Sequence, residues 1–259
     1  MIQLVLVGTG NVATHLFKAF QQSPVVQVVQ VVGRSKASLA PFAAHTAVAT
    51  NSAHIVPADV YLLAVSDNAI ATVAATLPVK NAVVLHTSGS VPMEVLQRHR
   101  RHGVFYPLQT FSKNKAVAFS DIPLCLEASD QETMQLLEQL AQSISQQQYR
   151  LNSTQRGALH TAAVFVCNFV NHLYQIGYEI TANNQLPFEI LLPLIKETAA
   201  KVEGMTPYEA QTGPAKRNDT QTIATHLEQL HTTHHKEIYT LLTDSIKRLY
   251  QEQSTEDQK

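Results

Sequence analysis

Gly8-Thr9-Gly10-Asn11-Val12-Ala13 places small residues at its first, third and sixth positions. In that spacing the backbone does the chemistry. One glycine permits a tight turn, the next lets a pyrophosphate approach the chain, and the small sixth residue lets a helix pack on a strand. An apolar run precedes the motif and the helical pattern Val12, Leu16, Phe17, Phe20 follows it, so the N–H groups at the helix start face an anion. The chemistry expected is dinucleotide binding. The second strand ends Val32-Gly33-Arg34-Ser35-Lys36, with no carboxylate to take a ribose diol. Arg34, Ser35 and Lys36 suit a 2′-phosphate instead, which predicts NADP rather than NAD.

Other strand ends bring polar groups to the same edge. Ala64-Val65-Ser66-Asp67 would pass Val65 and Ser66 beside the nicotinamide ribose. His86-Thr87-Ser88-Gly89-Ser90 offers an imidazole and hydroxyls to a substrate, with Ser90 equally able to cap a helix near Pro92. Tyr106-Pro107-Leu108-Gln109-Thr110 adds Gln109. Further along, an apolar helix carries a polar stripe. On an ideal wheel His160 and Asn171 fall about 20° apart, Asn168 lies about 80° round, and Arg156 sits one turn before His160. Buried polar groups need partners, so the stripe should face a cofactor, a substrate or another polar surface. Histidine exchanges protons near neutral pH and asparagine orients a carbonyl or carboxylate. Arg217, in the bend Thr212-Gly213-Pro214-Ala215-Lys216-Arg217-Asn218-Asp219, can pair with a substrate carboxylate or with Asp219. His231, His234 and His235 have helical spacing but no accompanying carboxylate motif, so no metal is expected and they read as a solvated helix end.

The elements that must position these residues divide the chain in two. Up to about Leu151, runs Gln3–Val7, Val25–Val32, Val60–Val65, Ala82–His86, Val104–Tyr106 and Ile122–Glu127 read as strands alternating with helices, which implies crossover units and a doubly wound, mostly parallel sheet. After Leu151 the pattern is wholly helical. A long helix spans about Thr154 to Thr181, and a second, from Pro187 to before Gly204, should kink at Pro193. Thr206-Pro207-Tyr208-Glu209 reads as a capping box and Asp219 as an N-cap. Two domains follow, 1–151 and 152–259.

The 259 residues are 45% hydrophobic and 15% charged, with 19 basic against 20 acidic side chains. That length buries a core without disulfides, and the charge balance argues against nucleic acid as partner. No stretch has the uninterrupted apolar length of a membrane span, and the N-terminal run is too short for a secretory signal. Cys125 and Cys167 form no CxxC, which fits a reducing, cytoplasmic setting. The helix from about Ala158 to Tyr178 is apolar on more faces than one layer covers, which predicts a homodimer through the C-terminal helices.

The glycine motif, His86–Ser90, Phe105–Phe111, Leu159–Phe165 with Cys167-Asn168-Phe169, and Thr212–Ala215 with Arg217 and Asp219 together resemble one family over essentially the whole chain. It is the Rossmann-like NADP oxidoreductases with a C-terminal helical domain of unassigned function. These are distantly similar to pyrroline-5-carboxylate reductase, the deazaflavin-dependent NADP reductases, and the 6-phosphogluconate and β-hydroxyacid dehydrogenases. The resemblance implies a Rossmann domain, an all-α second domain of the 6-phosphogluconate dehydrogenase type that commonly dimerises, and a substrate site in the cleft between them. The β-hydroxyacid dehydrogenases carry a lysine one turn before an asparagine on the first long helix of the second domain. The matching helix here has none, leaving His160 as its evident proton donor. The expected activity is hydride transfer between NADP(H) and a small carbonyl or imine compound, with Ser88 and Asn168 holding the substrate and His160 delivering the proton. His86, Thr87, Gly89, Gln109, Asn171 and Arg217 would line the substrate. The missing lysine also admits a second reading, a non-catalytic NADP-binding sensor or partner-binding protein.

Overall fold

The computed structural model describes residues 1–79, 81–113 and 115–256. Among them one sheet contains β1 (Ile2–Val7), β2 (Val26–Val32), β3 (Ala47–Ala49), β4 (Val60–Leu63), β5 (Val83–His86), β6 (Arg101–Pro107), β7 (Leu124–Ala128) and β8 (Gln148–Arg150), in the order β3-β2-β1-β4-β5-β6-β7-β8. Neighbours run parallel except β6 and β7. Among the described residues between those two the chain makes a short 3-10 turn, Phe119–Asp121, and no crossover helix, so it returns alongside the strand it left. β3 and β8 are three-residue edge strands that the sequence pattern does not announce.

Strand alternation builds the core on both faces of this sheet. Leu4 and Leu6 point to one face, where they meet Leu16 and Phe20 of α1 (Asn11–Gln21), Leu39 and Phe42 of α2 (Lys36–Ala43), and Leu137 and Leu140 of α4 (Gln131–Gln142). Val5 and Val7 point to the other, against Ile70 and Ala74 of α3 (Ile70–Thr76), with Tyr61, Leu63, Val84 and Leu96. Strand order reverses at β1, whose parallel neighbours β2 and β4 lead outward to opposite edges, so a crevice opens where β1 and β4 end.

The chain forms two compact units, Met1–Cys167 and Asn168–Lys259. The division falls inside the long helical stretch rather than at 151/152, because the side chains of α5 (Ser153–Ala163) are fastened to the sheet edge. A π-helical turn, Val164–Phe169, follows α5 and leads into α6 (Val170–Asn183). The second unit continues with α7 (Leu192–Gly204), α8 (Pro207–Ala210), α9 (Thr220–Gln229) and α10 (Thr233–Glu256). Thr206 and Glu209 form the expected reciprocal cap, and Asp219 caps α9. Pro193 does not kink a helix. It occupies the first turn of α7, where its missing N–H costs nothing.

Candidate functional site

The crevice at the end of β1 has a volume of about 640 Å³, and Gly8, Thr9, Gly10, Asn11, Val12 and Arg34 line it, with Val65 and Ser66 opposite. Gly8 has φ +133°, and a Cβ there would stand 2.1 Å from the Ala64 carbonyl oxygen, so glycine is required on both counts. Gly10 is the N-cap of α1. It brings no side chain to cap the helix, the first turn carries no acidic residue, and a Cβ at Gly10 would meet no protein atom within 4 Å. Open space directly before uncapped helix N–H groups is a seat for an anion. Ala13, fully buried, completes the motif against the sheet. The residues therefore fit a dinucleotide, and Arg34 is exposed where it lines the crevice.

Ser35 and Lys36 have other positions. The Ser35 hydroxyl caps α2 by accepting from Ser38 N–H at 3.2 Å, and Lys36, the first residue of α2, does not line the crevice; Ser38 and Lys113 do. The Asn11 side chain is also committed, its Nδ2 donating to the Phe111 carbonyl at 2.8 Å.

A second group of residues gathers beyond β5 and β6, at the same sheet edge. Gly89 is its floor. A Cβ at Gly89 would lie 2.6 Å from His160 Nδ1 and 2.7 Å from Tyr106 Cζ, so only glycine lets both rings approach this turn. Above it Tyr106 Oη lies 3.2 Å from His160 Nδ1, and the rings meet edge to face. Burial pushes the half-buried Tyr106 phenol up to about 12, with the neighbouring Cys125 adding to the rise and Arg156 opposing it. The hydroxyl therefore keeps its proton, and its O–H can donate a hydrogen bond to Nδ1 when that nitrogen carries no hydrogen.

Arg156 holds the turn that carries Gly89. Its side chain is 1% exposed, and Nη2 pairs with Glu127 Oε2 at 2.9 Å. Nη1 donates to the carbonyls of Val91 (2.9 Å), Gly89 (3.2 Å) and Ser88 (3.4 Å). Ser153 locks the pair, donating to Glu127 through its N–H and hydroxyl while accepting from Arg156 and from Met93 N–H. The polar stripe thus meets a polar partner through Arg156, and that partner is backbone and Glu127.

His86 is fully buried. Its Nδ1 accepts from Ser88 N–H at 3.1 Å, while Nε2 has no partner at hydrogen-bond geometry. Burial, reinforced by the Arg156 charge, pushes its pKa down to about 4; weaker pulls from the Pro92 carbonyl and Asp67 do not offset this. His86 is therefore a neutral wall rather than a proton carrier. Ser88 is likewise structural: its oxygen accepts from the N–H groups of Ser90 (3.2 Å) and Val91 (3.0 Å). Ser90 does not cap a helix, and donates to Asp67 Oδ2 at 2.7 Å. Thr87 is buried and lines the crevice, so it belongs with the nucleotide-facing residues.

Gln109 is exposed and turns back to accept from Thr110 N–H at 2.8 Å. Asn168, inside the π turn, and Asn171, on α6, are exposed, as is Arg217 in the second unit. The ideal-wheel alignment of His160 with Asn171 does not carry over, because the π turn between them changes the helical phase. Tyr106 as the partner of His160, Glu127 as the partner of Arg156 and Lys113 at the crevice are absent from the sequence reading. A carboxylate closing an otherwise apolar strand, Leu124-Cys125-Leu126-Glu127, is the one signal that could have suggested the second of these.

Residues 3–88 match the family model described as NADP oxidoreductase coenzyme F420-dependent, and residues 122–246 match that of a domain of unknown function, DUF2520. No curated protein matches the chain. A solved structure from Bacteroides fragilis, described as a "putative NADP oxidoreductase", is similar at 39% identity and TM-score 0.89, covering 95% of this chain and 98% of its own. A reductive aminase from Aspergillus terreus, in complex with NADPH and ethyl levulinate, shares the fold at 16% identity and TM-score 0.71 (97% and 94% covered). So does 1-pyrroline-5-carboxylate reductase from Streptococcus pyogenes, at 15% identity and TM-score 0.64 (95% and 98% covered).

Proposed function

The chain belongs to the family of NADP oxidoreductases that join this nucleotide-binding domain to DUF2520, and from that premise we propose that it transfers hydride between NADP(H) and a small carbonyl or imine compound, with His160 moving the proton. The observation that carries the proposal is the His160–Tyr106 pair seated on Gly89, at the sheet edge where the nucleotide crevice opens. Gly8, Gly10 and the first turn of α1 hold the pyrophosphate, and Arg34 takes the 2′-phosphate. Bound NADPH supplies the hydride, so the chain needs no nucleophile of its own. The contact with Tyr106 engages Nδ1 of His160, which leaves Nε2 as the nitrogen that exchanges a proton with substrate. Asn168, Asn171 and Arg217 are exposed and remain proposed substrate contacts. Two proteins sharing the fold, a pyrroline carboxylate reductase and a reductive aminase, support carbon–nitrogen double bonds as one substrate class.

The test is a panel of keto acids and cyclic imines with NADPH oxidation followed optically. A substrate turned over with kcat falling about a hundredfold or more in His160→Ala supports the assignment; full kcat in that variant refutes the role of His160. NADPH binding without turnover of any compound on a broad panel would refute the enzyme reading.

We also propose a homodimer through the C-terminal helices. Leu186, Ile190, Leu194, Leu241 and Leu249 are 49–70% exposed, large apolar side chains that a second chain would cover. Among the described residues no helix is long and apolar enough to cross a membrane. Unpaired Cys125 and Cys167 support a reducing, cytoplasmic setting.

A further inference from the structure

The segment after β6, residues 108–113, crosses the sheet edge and lies on the first turns of α1. Asn11 Nδ2 donates to the Phe111 carbonyl at 2.8 Å, and His15 Nε2 lies 2.9 Å from the Ser112 carbonyl. The Phe111 ring sits between His15, at a centroid distance of 5.0 Å, and a stacked Phe119 at 5.9 Å. The segment is thus held on both sides as a strap, and its last residue, Lys113, is exposed and lines the crevice with Gly8, Gly10 and Asn11. Two carbonyls tie the strap down, and among the described residues that line the crevice Arg34 and Lys113 are the ones that carry a charge.

We propose that Lys113 is a pyrophosphate-binding residue, a cation delivered by the β6 strap to the anion seated on the α1 N-terminus. The anchoring favours the pyrophosphate over the 2′-phosphate, since the strap is fastened to Asn11 and His15 of α1. Arg34, after β2, serves the other end of the nucleotide. An ammonium here adds a charge-assisted contact to those of the backbone N–H groups, and, being solvent-exposed, its attraction is screened by salt. The inference rests on NADP occupying the crevice.

Calorimetric titration of the full-length protein with NADPH and with NADH separates the two assignments. Lys113→Ala weakens both nucleotides by a similar factor, about fivefold to tenfold at low ionic strength, and the loss shrinks as salt rises. Lys113→Glu weakens both further. Arg34→Ala weakens NADPH and leaves NADH nearly unchanged. Unchanged affinity for both nucleotides in Lys113→Ala makes Lys113 a solvated surface charge and overturns the proposal, and a loss confined to NADPH overturns it by moving Lys113 to the 2′-phosphate. Failure of the unsubstituted protein to bind either nucleotide overturns the cofactor reading itself.

Discussion

Removing Arg156 should destabilise the first unit more than any surface substitution, because its charge is held entirely by protein. Its side chain is 1% exposed and that of Glu127 11%. In Arg156→Met the apolar stem is kept while the guanidinium is lost. Glu127 then retains two donors from Ser153, the N–H at 2.7 Å and the hydroxyl at 2.9 and 3.0 Å from its two oxygens, so its charge is not stranded. The carbonyls of Ser88, Gly89 and Val91 lose their shared donor. Breaking a buried pair costs about 3–5 kcal/mol, and the Ser153 contacts place Arg156→Met near about 3 kcal/mol. Glu127→Met leaves the buried guanidinium with neutral acceptors only and should cost more, about 4–5 kcal/mol. The double variant should cost at least about 1 kcal/mol less than the two singles added together. Denaturant unfolding followed by far-ultraviolet circular dichroism suits a chain with no tryptophan. NADPH affinity should stay within about twofold, since these residues lie outside the nucleotide crevice. A loss below about 1 kcal/mol in Arg156→Met, or strict additivity in the double variant, refutes the argument that this pair fastens the β5 turn.

Gly89→Ala puts a methyl 2.6 Å from His160 Nδ1 and 2.7 Å from Tyr106 Cζ, and should cost about 1–3 kcal/mol while cutting turnover tenfold or more at unchanged NADPH affinity; wild-type turnover would show that the pair need not lie over this turn. His86 is neutral in the fold and titrates near 6.5 when unfolded, so its contribution is complete above that pH and lost as pH falls toward about 4. The loss approaches about 3 kcal/mol, and stability measured across this window should flatten in His86→Asn. An equal acid loss in that variant would exclude His86 as its source. Sedimentation at micromolar concentration should give the mass of two chains, and Leu241→Asp or Leu194→Asp, at positions 70% and 62% exposed, should give one. A single-chain mass for the unsubstituted protein contradicts the dimer.

The nucleotide end of the molecule was legible because its determinants are local. A glycine spacing, the strand before it and the helix after it lie within about twenty residues, and backbone geometry follows from them directly. Arg34, two residues beyond the end of β2, reaches the crevice for the same local reason. The His160–Tyr106 pair was legible only in part. His160 stood out as a polar residue on an apolar helix, but its partner Tyr106 is 54 residues away and is brought to it by the glycine at 89, which no local pattern marks. Ser88 carried the right chemistry for a substrate contact, yet its hydroxyl oxygen is occupied by the N–H groups of its own turn. A wheel drawn at constant angle also assumes an uninterrupted α-helix, and the π turn at Val164–Phe169 has no composition that announces it. Pro193 misled for a simpler reason: the same residue that kinks a helix interior is welcome in a first turn, and the start of α7 lies later than the apolar periodicity suggests.

Hydride transfer is the central claim, and following a label from cofactor to product tests it most directly. NADPH carrying deuterium at the transferable C4 position would be incubated with the protein and a carbonyl or imine substrate identified from the panel, and the product analysed by mass spectrometry. The account predicts that each product molecule gains one deuterium at the former carbonyl or imine carbon, and that His160→Ala slows its appearance. Product formed without deuterium at that carbon, or formed equally fast without NADPH, would contradict it.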